Sequence, residues 1–163
     1  MDFNTNVRDA LMGHITNEMY ASQCYLQAAY FFEDENMVGI AGWMKKESDS
    51  EREHAIKIAD FLAARGASVK LPEIKAAALP MEPKKYLPIF QALFQIEQQT
   101  TKQLNELAKL AHEQNDHASY SFLLPMLDDQ VKAEDEFDTI LTKVAAYSAL
   151  PGLMFHLDAE LKK

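Results

Sequence analysis

A single cysteine, Cys24, in 163 residues excludes an internal disulfide framework, since a disulfide needs a second thiol in the same chain. A lone thiol suits a reducing compartment, so a cytoplasmic location is expected. Glycine and proline are scarce as well, with five and six copies. Both residues interrupt regular structure, and their scarcity leaves long stretches free to run as unbroken helix, which predicts an all-α chain. No window approaches the roughly eighteen consecutive apolar residues that a membrane-spanning helix needs, so no membrane partner is expected. The amino end, Met1-Asp2-Phe3-Asn4-Thr5-Asn6, has no basic run followed by an apolar one, and no signal peptide is expected. Basic residues are outnumbered, 16 Lys and Arg against 25 Asp and Glu, and the net charge of −9 argues against nucleic acid. That charge suits partners that are cations, and it serves solubility equally well.

An apolar content of 48% in a chain of this length supports one domain, residues 1–163, with a core of its own. Hydrophobic periodicity predicts four long helices and a short fifth. Asn4 or Thr5 caps the first, which runs to about Glu33 with Val7, Leu11, Ile15, Met19, Leu26 and Ala29 on its buried side. Glu33-Asp34-Glu35-Asn36 is a polar break. The second helix runs from about Met37 to Arg65 and is closed by Gly66, the third from about Lys84 to Glu113, and the fourth from about His117 to Ala146. Pro151-Gly152 opens a short tail helix ending near Lys162. Helices of roughly 28 residues are about 42 Å long. The irregular segment between the second and third holds Gly66, Pro72, Pro80 and Pro83 and is long enough to run the whole bundle. Those two helices would then lie parallel, although an ordinary up-down bundle with a loose middle loop is the alternative.

The tetrad Glu51-Arg52-Glu53-His54 carries the chemistry. On a helix it places a carboxylate and an imidazole three residues apart, on one face and within reach of one metal ion. Glu18, Glu97 and Gln130 each fall on an otherwise apolar stripe of another helix. Taken singly, each has a plain structural explanation. Glu18 could snorkel to solvent, Glu97 could be one more solvated side chain beside Gln95, Gln98 and Gln99, Gln130 could serve a polar core network, and His54 could be a hydrogen-bonded helix histidine. Taken together, three carboxylates and a histidine converging in a core cannot satisfy one another, because like charges repel. A pair of divalent cations resolves the conflict, and oxygen-rich donors with one imidazole suit iron or manganese better than structural zinc.

Glu51-Arg52-Glu53-His54-Ala55, preceded by Glu18 and Tyr25 and followed by Gln130-Val131-Lys132-Ala133, resembles ferritin over essentially the whole chain. The resemblance implies a ferritin-like four-helix bundle with one long crossover and a fifth helix. It also implies an iron-storing ferroxidase acting with dioxygen or peroxide, and a cage of roughly 24 copies, in line with a fifth helix whose apolar Leu153, Phe155 and Leu157 have no place in a four-helix core. Gln130 to Ala133 is closer to the heavy-chain type of animal ferritins, while the lack of extensions suggests a prokaryotic or algal non-haem form. Carried over, Glu18, Glu51 and His54 would hold the first iron, with Glu51 bridging to a second held by Glu97. Gln130 would sit beside the second iron as a hydrogen-bonding or weak outer ligand, and Tyr25 would donate a hydrogen bond or an electron. Two alternatives differ in function: a non-catalytic cage subunit that only nucleates mineral, and a di-iron detoxifying oxidase that releases its iron.

Departures from the family pattern carry their own expectations. Bacterioferritins bind haem through a methionine one residue past the bridging glutamate, and Arg52 stands there, so no haem is expected. Asp129-Gln130-Val131-Lys132 replaces the second Glu-x-x-His of bacterioferritins and rubrerythrin-like peroxidases. Tyr120 and Leu123 stand about where animal ferritins carry the acidic pair of their entry channels, which counts against that route, and Ser50 and Lys132 replace acidic residues of a third inner iron site. Glu47, Glu53 and Asp129 remain as nearby acidic candidates.

Overall fold

A computed structural model describes residues 3–150 and 152–162. Five helices follow one another: α1 Thr5–Asp34, α2 Val38–Ala64, α3 Leu87–Glu113, α4 His117–Tyr147 and α5 Leu153–Leu161. Their limits follow from local chemistry. The Asn4 side chain accepts hydrogen bonds from the backbone N–H groups of Asn6 and Val7 and so starts α1, and Asp116 does the same for Ser119 at the start of α4. Between the paired helices, Asn36 and Asn115 take left-handed backbone conformations, and Gly66 does so after α2. α3 begins at Leu87 and not at Lys84, because Lys84 has a positive φ of 64° and Pro88 belongs in a first helical turn. The opening of the tail at Pro151 lies outside the described residues, and α5 is defined from Leu153.

Two apolar clusters divide the bundle along its length. One joins the end of α1 (Cys24 to Phe32), the start of α2 (Met37 to Met44), the start of α3 (Ile89 to Leu93) and the end of α4 (Phe137 to Val144). The other joins the opposite ends, from Val7 and Ile15 through Ala55 and Leu62 to Leu104, Ala111 and Leu123. α2 and α3 therefore start at the same end and run parallel. The segment between them packs Ala67 and Val69 on the second cluster and Ala77 and Leu79 on the first, so it traverses the bundle lengthwise. The Tyr20 hydroxyl holds it midway, accepting from the N–H of Ala78. The fold is a four-helix bundle with a single crossover, as the length of that segment predicts.

Two expectations about buried faces need correction. Leu26 is 38% exposed, because it follows Tyr25 directly and so lies about 100° round the helix from the stripe through Ala21, Tyr25 and Ala28. The tail helix is not left without a place in the core: Met154 and Leu157 pack into the first cluster, and Phe155 alone of its large apolar residues turns outward, 52% exposed. α5 is seated by Asp158, whose side chain accepts from the N–H of Ile40, one of the unpaired donors at the start of α2. Gly39 permits that approach, since a Cβ there would collide with the Asp158 carbonyl oxygen. Among the described residues no helix is long and apolar enough to cross a membrane.

Candidate metal centre

Between the two apolar clusters lies a polar layer, one level deep, contributed by all four long helices. α1 supplies Glu18, α2 supplies Glu51 and, one turn on, His54, α3 supplies Glu97, and α4 supplies Gln130. Glu18, Glu51, Glu97 and Gln130 are buried and His54 is nearly so. The i, i+3 spacing does what the sequence suggested: His54 Nδ1 lies 3.5 Å from Glu51 Oε2 and 3.8 Å from Glu18 Oε2. One donor atom from each of Glu18, Glu51 and His54 falls within 4.8 Å of the others. At those separations no hydrogen bond is formed, and both Oε2 atoms are buried without a partner. A buried acceptor left unpaired costs about 1–3 kcal/mol, and more when charged. Two such oxygens and an imidazole nitrogen facing one point fit a hard or borderline divalent cation.

The charges agree with that fit. Burial opposes ionisation of Glu18, but hydrogen bonding from His14, and then the pull of His54, draws its carboxyl below the usual range. Burial pushes Glu51 well above that range; His54 pulls it back and the neighbouring Glu18 pushes it up again. The two carboxyls titrate as a pair, and Glu18 keeps the negative charge because it alone holds an N–H donor. Burial opposes protonation of His54, yet Glu18 and Glu51 together raise it to about 10. Glu51 and His54 are thus both held above their ordinary values, and an entering cation must compete with protons for them.

Glu97 and Gln130 are arranged differently. The Tyr25 hydroxyl donates to Glu97 Oε1 at 2.5 Å, and the Gln130 amide donates to Glu97 Oε2 at 2.7 Å and to the Glu97 carbonyl at 3.0 Å. Both oxygens of Glu97 are thus engaged, and the triad forms without it, though its charge helps raise Glu51 and Glu47. Tyr25 is buried among Trp43 and Phe137, and burial, then Glu97, holds its hydroxyl well above its ordinary value. Glu47, one turn before Glu51, is half-buried; burial, then Glu97 and Glu136, raise it to about 7.

Other expected positions fall elsewhere. Glu53, Asp129 and Lys132 are exposed. Leu123 is fully buried in the second apolar cluster, so its side chain faces the core and not a channel, and Tyr120 packs its ring on His112. Sequence reasoning missed His14, whose Nε2 lies 2.9 Å from Glu18 Oε1. Its signal was available: His14 and Glu18 are four apart, on the stripe that carries Leu11 and Ile15.

The ferritin-like domain pattern of the ferritin family matches residues 8–146. The chain belongs to the ferritin family. A bacterial non-heme ferritin of Bacteroides fragilis is 30% identical to it over 155 residues, 95% of each chain. Its counterpart in Staphylococcus aureus is 28% identical over 134 residues, covering 82% of this ferritin and 80% of the relative. Among solved structures, an open-pore ferritin from the hyperthermophilic archaeon Archaeoglobus fulgidus superposes with a TM-score of 0.93 at 29% identity, covering 99% of this chain and 98% of that one. An iron-soaked variant of the ferritin PmFTN gives 0.90 at 34% identity, with 94% and 98% covered. The crossover and the fifth helix of this ferritin thus have counterparts across nearly the full length of its relatives.

Proposed function

We propose that this ferritin is a ferroxidase that oxidises Fe(II) and stores the ferric product inside a cage of its own copies. The observation that carries the reading is the pair of partnerless, buried Oε2 atoms of Glu18 and Glu51 facing His54 Nδ1. In this reading Glu18, Glu51 and His54 receive the first ferrous ion. Glu51 bridges to a second ion held by Glu97, whose two oxygens Tyr25 and Gln130 engage. Two ferrous ions give up one electron each; dioxygen takes the pair with two protons and leaves as hydrogen peroxide. With peroxide as oxidant, the same two electrons and two protons yield water. The protein fixes the donors and excludes bulk water.

Iron storage is supported by family membership and by the iron-soaked relative. A closed shell of roughly 24 copies is the arrangement proposed for the assembly. Exposed Leu26, Tyr30, Met81, Leu150 and Phe155 give it apolar surface to bury. The test is stopped-flow absorbance after adding two ferrous ions per chain to metal-free protein in air, with light scattering on the same sample. A rapid ferric signal saturating at that ratio, on particles of cage size that keep their iron through gel filtration, is expected. Oxidation no faster than in buffer would refute the ferroxidase reading, and monomers or dimers alone would refute the cage.

A further inference from the structure

Glu18 is the one carboxylate of the centre whose two oxygens have opposite surroundings. Oε1 is 2.9 Å from Nε2 of His14, one turn earlier on α1, whereas Oε2 has no partner and faces Glu51 and His54. His14 is itself buried, 2% exposed. On its other side the Asn17 side-chain amide nitrogen approaches His14 Nδ1 at 3.5 Å. An amide nitrogen donates, so Nδ1 accepts, and the ring proton then sits on Nε2, pointed at Glu18. The chain of donors runs from Asn17 through His14 to one oxygen of Glu18. Beyond the ring is an open groove of about 360 Å³ between α1 and α3, bordered by Asn17, Gln103 and Glu106. The imidazole therefore stands between solvent and the carboxylate, and water from the groove cannot take its place on Oε1.

A carboxylate with both oxygens free can chelate a cation through both, or turn about its last torsion, which is soft. Tying Oε1 to an imidazole removes both options. We propose that His14 is a positioning residue that makes Glu18 a one-oxygen ligand of fixed orientation, keeping a coordination position on the first cation open for the oxidant. Outer partners of metal-ligating side chains act in this way on orientation and basicity. The inference rests on Glu18 being a ligand, as proposed above.

The test uses Co(II), which binds without being oxidised in air and whose visible absorption weakens as its coordination number rises. Metal-free assembled protein is titrated as wild type, His14→Gln, His14→Leu and Glu18→Ala. Glutamine keeps an N–H that can reach Oε1, and leucine does not. His14→Leu is expected to bind the first Co(II) roughly 10–100-fold more weakly. Its absorption per bound ion should also be lower, because a freed carboxylate chelates, while His14→Gln recovers both affinity and spectrum. Should His14→Leu not assemble, His14→Met, shaped like glutamine but without the donor, takes its place. Wild-type affinity and spectrum in the donorless variant, with the first Co(II) lost in Glu18→Ala, would overturn the role of His14 alone. Wild-type binding in Glu18→Ala as well would overturn the site itself.

Discussion

Glu47 offers a measurable consequence of packing acidic groups around a metal centre. Its carboxyl is raised from 4.5 to about 7, chiefly by burial and then by Glu97 and Glu136. The folded state therefore holds a proton that the unfolded chain has released between those two values. Where the folded state binds more protons, stability falls as pH rises. A shift from 4.5 to about 7 corresponds to roughly 3 kcal/mol at about 1.4 kcal/mol per unit. Glu47 is only half-buried, and solvent screening brings this to about 2 kcal/mol. Glu47→Gln has the same shape and no titration, so metal-free Glu47→Gln is expected to be more stable than wild type by about that amount near pH 8. For a chain of this size the gain is a melting point higher by about 4–8 °C. Close to pH 4.5 the two proteins should melt together, since wild-type Glu47 is then protonated in the folded state and costs little. Calorimetry of chelator-treated protein at the two pH values is the assay. Equal melting near pH 8, or the same difference at both pH values, would show that Glu47 is not strained by its acidic neighbours.

Three further outcomes follow from the centre. Glu51→Ala should abolish rapid ferrous oxidation in stopped flow while the metal-free fold persists, since the loss of a buried partnerless carboxyl relieves Glu18; unchanged fast kinetics would mean the site lies elsewhere. Binding of the first cation near neutral pH should release up to two protons, from Glu51 and His54, because both are held above their ordinary values and must deprotonate to act as ligands. Affinity should accordingly fall as pH is lowered, and calorimetry giving identical heats in buffers of different ionisation enthalpy would refute this. Gln130→Glu should set a second carboxyl against Glu97 Oε2, where the amide now donates at 2.7 Å. The metal-free protein should lose about 1–3 kcal/mol, and the second cation should bind more tightly, since an anionic oxygen is the better partner. A titration in which both affinities match wild type would place Gln130 outside the reach of the metal.

Much of this was legible in the linear chain because helices have a fixed period. The spacing of Glu51 and His54, the apolar stripes around Glu18, Glu97 and Gln130, and Gly66 after α2 are local facts, set within a few turns. Crossover length is nearly as local, since a segment that long between two long helices reaches the far end. The outward turn of Leu26 and the seating of the tail helix are not local, because which edge of a stripe faces inward depends on where the neighbouring helix lies. The start of α3 is not legible in the sequence, because the left-handed turn at Lys84 has no signature in lysine itself.

The sequence by itself determined four long helices, their order, their polar positions and the residue types able to hold a cation. Tertiary structure alone decided which oxygens are left without partners. Glu97 and Glu18 look alike along the chain, each a glutamate on an apolar stripe. In the folded bundle Tyr25 and Gln130, 72 and 33 residues away from Glu97, occupy both its oxygens, whereas His14 occupies one oxygen of Glu18 and leaves the other open. Hydrogen-bond partners that come from other helices are set by packing, and packing is a property of the whole chain.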